Sequence, residues 1–298
     1  MDQQQLAAAF DAQRSRLRAV AYRILGSLSE SDDAVQDSWL RLQRTDTATI
    51  ENLDAWLTTV TARISLNLLR ARHTISEHPL DAFSPEPIVS MESGDDPEYE
   101  ALLADAVGIA LQVVLDTLAP AERLAFVLHD MFAVPFSDIA AILDRTPGAA
   151  RQLASRARRQ IRDAAPEPEP DMKRQRAVVD AYFAAAREGD LDALVAVLDP
   201  DVVLRAHRRG EPPLELHGAE QVSRGAMIAR PLASSVRPAL INGTAGVIAY
   251  QNEKPFAILA FTVVLDRAVA IDVFNDSELV PLLVRTNAGT AKEIPGRS

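Results

Sequence analysis

Apolar residues recur at helical spacing along most of the first 165 positions of the chain. Leu6, Phe10, Leu17, Val20, Ala21, Ile24 and Leu25 predict a first helix that Gly26 ends, and Ser31 is the expected start of a second, SDDAVQDSWLRLQR. In this second helix Asp32 and Asp33 fall near the positive end of the helix dipole, and Arg41 and Arg44 near the negative end. Its pattern turns Val35, Trp39 and Leu42 inward and leaves Asp33, Gln36, Asp37 and Arg41 outward. A longer helix is predicted from Asn52 to Arg72, with Leu53, Trp56, Leu57, Val60, Ile64, Leu66 and Leu69 in its pattern and Trp56 as a core anchor. Arg63, Asn67, Arg70 and Arg72 collect in its C-terminal half. After an irregular stretch the helical pattern resumes at Tyr99, and Pro120 opens a segment apolar enough to be interior, with His129 expected as a hydrogen-bonded packing residue beside it.

From Pro135 to Arg162 the pattern becomes specific. Ile139, Ile142 and Leu143 mark a short helix; Asp144 and Arg145 leave room for a tight turn; Thr146 can cap a second helix whose first residue is Pro147. Ala150, Leu153, Ala154 and Ala157 form the inner stripe of that second helix, and Arg151, Ser155 and Arg158 share an outer face. The helix carries Arg151, Arg156, Arg158, Arg159 and Arg162 and no acid, which favours a DNA-reading helix-turn-helix over a hairpin with a solvated face. Asp144 suits the turn because aspartate tolerates the left-handed backbone.

Beyond Ala164 the period changes. AAPEPEPD is an extended acidic spacer, and two helices follow, divided at Gly189. The β-rich runs VVLRAH, GVIAY, FAILAFTVVL and AVAIDVF then take over, which predicts an α+β cone: a helical pair followed by a curved antiparallel sheet. The segment from His73 to Glu98, rich in proline, serine and acids, reads as a linker.

Composition narrows the function. The chain has 298 residues, 48% of them hydrophobic, which calls for two or three domains. It has no cysteine, so disulfides and thiolate metal sites are excluded, and it shows neither a signal-peptide order nor an apolar run long enough to span a bilayer, so a cytoplasmic protein is expected. The net charge of −11 opposes binding to phosphate unless the arginines are segregated or a larger partner supplies most of the affinity.

Three separated stretches resemble one family. AYRILGSLSESDDAVQDSWLRL, ENLDAWLTTVTARISLNLLR and LAPAERLAFVLHDMFAVPFSDIAAIL with the arginine helix are similar, in that order, to the extracytoplasmic-function bacterial RNA polymerase sigma factors. YFAAAREGDLDALVAVLDPDVVLRA resembles SnoaL-like domains, which related sigma factors carry as a C-terminal extension. The resemblance implies a multidomain fold: two all-α sigma domains, the second with the helix-turn-helix, followed by an α+β SnoaL-like cone. The implied boundaries are region 2 at 1–75, a linker at 76–98, region 4 at 99–164, a proline spacer at 165–171, the cone at 172–287 and a tail at 288–298.

It further implies core RNA polymerase and promoter DNA as partners, with no membrane and no cofactor. Asp33, Gln36, Asp37, Trp39 and Arg41 fall where the family binds core polymerase. Arg63, Asn67, Arg70 and Arg72 fall where it engages the minus-ten strand. Thr146, Arg151, Gln152, Ser155, Arg156, Arg158 and Arg159 fall on the minus-thirty-five reader. Asn67 replaces an expected acid, and HTISEH an expected basic run. The linker is either a thread toward the polymerase active-site channel or a solvated tether; its Pro85, Glu86 and Pro87 resemble a short motif of one subgroup. His207, His217, Tyr250 and Asp272 are the candidate polar residues of a cone cavity, with no nucleophile-base pair or metal-ligand spacing among them. The rival readings are a stand-alone helix-turn-helix repressor and a ligand-binding or enzymatic cone fused to a DNA-binding module. The sequence identifies neither a small-molecule ligand nor a separate inhibitor.

Overall fold

The structure, a computed structural model, describes residues 3–75, 85–90, 108–164, 169–208, 211–232 and 235–288. The chain divides into two compact units, the first formed by Met1–Asp81 and Leu111–Ala165, the second by Ala82–Ala110 and Pro166–Ser298.

The first unit is helical. Helices α1 (Gln3–Leu25), α2 (Leu28–Arg44) and α3 (Leu53–Ile75) pack together, and α4 (Ile109–Thr117), α5 (Pro120–Phe126), α6 (Phe136–Leu143) and α7 (Pro147–Ala164) follow. The start of α2 lies three residues before the expected Ser31. Ser27 is its cap, accepting from the backbone N–H of Glu30, while Ser31 is buried and bonds back to the Ser27 carbonyl. Asn52 caps α3 by accepting from Ala55 N at 3.0 Å. Between α2 and α3, the buried Ser38 and Thr61 hydroxyls are 2.9 Å apart, so a polar pair sits satisfied within an apolar seam. After α5 the chain widens into one π turn, Val127–Met131, where His129 Nδ1 donates to Val134 O at 3.1 Å and its ring stacks on Phe136.

The α1–α3 bundle and the α4–α7 helices share one apolar cluster. Val20, Ile24, Ala62, Leu66 and Leu69 belong to it together with Leu124, Val127, Leu128, Ile139 and Leu143. A smaller cluster of Leu6, Phe10, Leu17, Val35, Leu42 and Leu57 has Trp39 and Trp56 packed against it.

The second unit is α+β. Helices α8 (Met172–Glu188) and α9 (Leu191–Val197) meet at Gly189, whose left-handed φ of 80° ends α8. The strands are β1 (Val89–Ser90), β2 (Leu198–Arg208), β3 (Glu211–His217), β4 (Val236–Ile241), β5 (Thr244–Gln251), β6 (Lys254–Val264) and β7 (Arg267–Phe274). They form one sheet in the order β1-β4-β5-β6-β7-β2-β3, antiparallel except for β2 with β7. Two-residue turns at Asn242-Gly243, Asn252-Glu253 and Leu265-Asp266 all have positive φ at both positions, the backbone that matches the twist of a tight hairpin. Helix α10 (Ala219–Ile228) packs with α9 and β2, and α11 (Leu279–Ala288) packs on β6 and β1.

All four β-rich runs read from the sequence are strands, β2, β5, β6 and β7. The hydrophobic pattern does not predict β1, β3, β4, α10 or α11. Of the linker, residues 85–90 are described, and they are buried or half-buried. Ile88 and Val89 are buried, Val89 and Ser90 add a strand beside β4, and Asn242 holds Ile88 from both sides: its Oδ1 accepts from Ile88 N at 2.7 Å and its N–H donates to Ile88 O at 2.8 Å. The expected helix start at Tyr99, the spacer residues 165–168 and Arg209-Gly210 lie outside the described residues.

Candidate nucleic-acid and polymerase interfaces

Three outward surfaces of the first unit carry the expected site residues. The best defined is the helix-turn-helix. Asp144 adopts φ 55° and ψ 53°, and the N–H of Arg145 donates to Ala140 O at 2.9 Å, which closes the turn. Thr146 Oγ1 accepts from Ala149 N at 3.2 Å and caps α7. Ala150, Ala154 and Ala157 are fully buried, so small side chains let α7 lie close to α5 and α6. Successive residues step by about 100° around a helix. Gln152, Ser155 and Arg159 therefore stand opposite the alanine stripe, all exposed.

Arg151, Arg156 and Arg158 flank that line and have partners. Arg158 Nε donates to Asp130 Oδ1 at 2.6 Å; the Arg151 guanidinium lies 5.3 Å from the Phe136 ring; Arg156 is 3.8 Å from Glu122. The expected outer face of Arg151, Ser155 and Arg158 is thus one flank of the surface, and its middle is Gln152, Ser155 and Arg159.

On α2 the exposed stripe is Asp33, Gln36, Asp37, Leu40 and Arg44, with Arg41 beside it. Trp39 stands apart from it, its ring 5.0 Å from Phe10 and packed on the smaller cluster. Its i, i+4 relation to Val35 gives this away, since that neighbour is inward. Leu40 was missed. It is 39% exposed in the middle of a charged stripe, where an apolar side chain gains most by being covered.

On α3, Arg63, Asn67 and Arg70 follow four-then-three spacing along one exposed stripe. Arg72 is separated from them by half a turn. Its Nη2 donates to Leu25 O at 2.7 Å and lies 3.1 Å from Glu30, so it ties α3 to the α1–α2 corner. Arg63 Nη2 donates to Ala141 O on α6 at 2.8 Å.

In the cone, the helix-side face of the sheet is filled. Leu204, Ile271, Val247, Phe261 and Val263 pack there on α8–α10, and Tyr182, Phe183 and Phe261 form a mutual aromatic trio with centroids 5.2–5.9 Å apart. Burial pushes the Tyr182 phenol well above its ordinary pKa. The four polar candidates do not gather there. Strand alternation puts Arg205, His207, Asp272 and Phe274 on the opposite face, where Asp272 Oδ1 accepts from His207 Nε2 at 2.8 Å and the imidazole stacks on Phe274. His217 is exposed on β3 beside Glu215, and Tyr250 is half-buried under the Arg237 guanidinium. Among the described residues no group of histidine, cysteine and acidic side chains could hold a metal, and no helix is long and apolar enough to cross a membrane.

A helix-turn-helix with an outward polar face, joined to a second helical module and followed by an α+β cone, defines a DNA-reading transcription protein. The comparisons with known proteins agree. Residues 9–74 match sigma-70 region 2, and residues 109–161 match sigma-70, region 4. The ECF RNA polymerase sigma factor SigJ of Mycobacterium tuberculosis is 40% identical over 220 residues, 72% of this chain and 70% of that protein. A probable ECF RNA polymerase sigma factor of the same organism, SigI, is 31% identical over 296 residues, 95% of this chain and 98% of its own. The crystal structure of SigJ superimposes with a TM-score of 0.76 at 34% identity, covering 92% of this chain and 97% of that one. The chain belongs to the extracytoplasmic-function family of RNA polymerase sigma factors, subunits that bind core polymerase and direct promoter-specific initiation, and it carries a SnoaL-like C-terminal domain. The family consists of initiation subunits, not of enzymes.

Proposed function

We propose that the three surfaces divide the work of initiation, in the cytoplasm where core polymerase is found. The α2 stripe of Asp33, Gln36, Asp37, Leu40 and Arg41 docks on core polymerase; Arg63, Asn67 and Arg70 hold the unpaired minus-ten strand; α7 enters the major groove at the minus-thirty-five element. The observation that carries this reading is the exposed Gln152–Ser155–Arg159 line over three buried alanines, donors and acceptors presented on a close-packed helix. Thr146, Arg151, Arg156 and Arg158 flank it and suit phosphate contacts, which set register. The polymerase supplies the affinity that a chain of net charge −11 lacks.

The cone modulates this activity and carries no reaction of its own. Its grip on Ile88 and Val89 supports the first statement, because the linker between the two sigma regions is then constrained by the C-terminal domain. The filled helix-side face supports the second.

The test is a reconstituted reaction. The purified chain with core polymerase should yield transcripts from a subset of promoters and protect the minus-thirty-five element from cleavage, and Arg159→Ala should lose that protection while still binding core. Promoter-independent transcripts, or an unchanged footprint, would refute the assignment.

A further inference from the structure

Arg151 and Arg158 lie two turns apart on α7, about 10.5 Å along one flank of the reading helix. Both are held from the chain that leads into the helix-turn-helix. The Arg151 guanidinium lies 5.3 Å from the centre of the Phe136 ring, and the His129 ring stacks on that same ring at 3.8 Å. Arg158 is held by Asp130, the residue after His129. That bond uses Nε, so the two terminal nitrogens stay available to a second acceptor.

His129 and Asp130 serve both arginines from within the π turn Val127–Met131. The wider turn interrupts the α period and re-aims the side chains it carries. The chain leaves it through Ala133 at φ 54°, a left-handed backbone that alanine rarely adopts, and His129 Nδ1 donates to Val134 O across the bend. An irregular, strained turn thus stands where regular helix would be easier, and its side chains anchor two guanidinium groups.

Resting on the promoter reading above, we infer that the π turn is a template for the reading helix. Phe136, backed by His129, and Asp130 are positioning residues that hold Arg151 and Arg158 as a two-point clamp on the phosphates around the minus-thirty-five element. Because the guanidinium groups are ordered on folding, they lose less freedom on meeting DNA. Asp130 separates this from simple charge. An acid beside a phosphate site repels DNA, so on charge alone its removal strengthens binding, whereas removal of a positioning residue weakens it.

The test is the holoenzyme concentration that half-protects the minus-thirty-five element, measured over a range of salt. Arg151→Ala and Arg158→Ala should each weaken protection and lower the salt slope by about one. Phe136→Leu and Asp130→Ala should each weaken it about two- to fivefold, and Phe136→Leu should leave the slope unchanged. Phe136→Tyr, which keeps an aromatic face, should protect as the wild type does. When Phe136→Leu is combined with Arg151→Ala, or Asp130→Ala with Arg158→Ala, the second change should cost less than it does alone. Asp130 is exposed, so its pair reads positioning without disturbing the core. Independent losses in either pair, or tighter protection by Asp130→Ala, would overturn the inference and leave the promoter reading standing. No loss from either arginine variant would overturn both.

Discussion

Arg158 and Asp130 are joined by a 2.6 Å hydrogen bond from the π turn to the recognition helix, so this arginine serves the domain before it serves DNA. Arg159, one residue on, stands at the middle of the exposed face. Arg159→Ala should therefore weaken promoter use selectively, by about 1–3 kcal/mol at the base pair it contacts and much less at promoters altered there. Arg158→Ala should weaken all promoters alike and flatten the salt dependence. Transcription from a panel of minus-thirty-five variants, at several salt concentrations, separates the two.

Arg72 belongs to the fold. Its bonds to Leu25 O and Glu30 bridge α3 to the α1–α2 corner, and it is separated from the Arg63–Asn67–Arg70 stripe by half a turn. Arg72→Ala should lower the urea midpoint by an amount equivalent to about 1–2 kcal/mol. Binding of a minus-ten single strand by the folded holoenzyme should be nearly unchanged; a strand-specific loss at unchanged stability would reverse the assignment.

Asn242 lies at positive φ in the β4–β5 turn and pins Ile88 by two hydrogen bonds. Asn242→Gly keeps the turn conformation and removes the side-chain acceptor of the Ile88 N–H. Faster hydrogen exchange at Ile88, with altered transcript yield and an unshifted melting temperature, is the expected outcome. Unaltered yield would mean that the linker's attachment is not how the cone acts.

Tyr182 is enclosed by Phe183 and Phe261, and its phenol is held neutral above the ordinary tyrosine pKa. The unfolded chain ionises near pH 10 and the folded one only at higher pH. Above pH 10 the unfolded state thus binds fewer protons, and stability falls by up to about 1.4 kcal/mol per pH unit as pH rises toward the folded value. Tyr182→Phe should remove this alkaline loss. Denaturation midpoints from pH 9 to 11.5 on both proteins provide the measurement.

Much of this was legible in the chain because local chemistry agreed with the fold. Asp144 and Thr146 wrote the turn and the cap in side chains that can make no better local bonds, and the alanine stripe fixed which side of α7 faces inward. The misses have physical causes too. β3 contains Pro212 and Pro213 and is exposed along most of its length, so it shows no alternation. β4 contains Pro238, and β1 is two residues that become a strand only beside Ile241 and Leu240. Arg72 lies close to Asn67 and Arg70 in sequence, but helical phase turns it half a turn away from them. The runs around His207 and Asp272 are apolar on both faces, which hides the parity that sets these two residues opposite α8–α10. The shared core of the two sigma modules left no sign in either stretch, since a residue packed on a second module reads like any other inward residue.

The division of labour stands first on α2. Gel filtration of the purified chain with core RNA polymerase measures it most directly, run beside a variant carrying Asp37→Lys and Leu40→Asp, both of them exposed positions on a helix whose buried side is untouched. The account predicts that the wild-type chain co-elutes with core and the folded variant does not. Co-elution of the variant as strongly as the wild type, or no co-elution of the wild type, would contradict it.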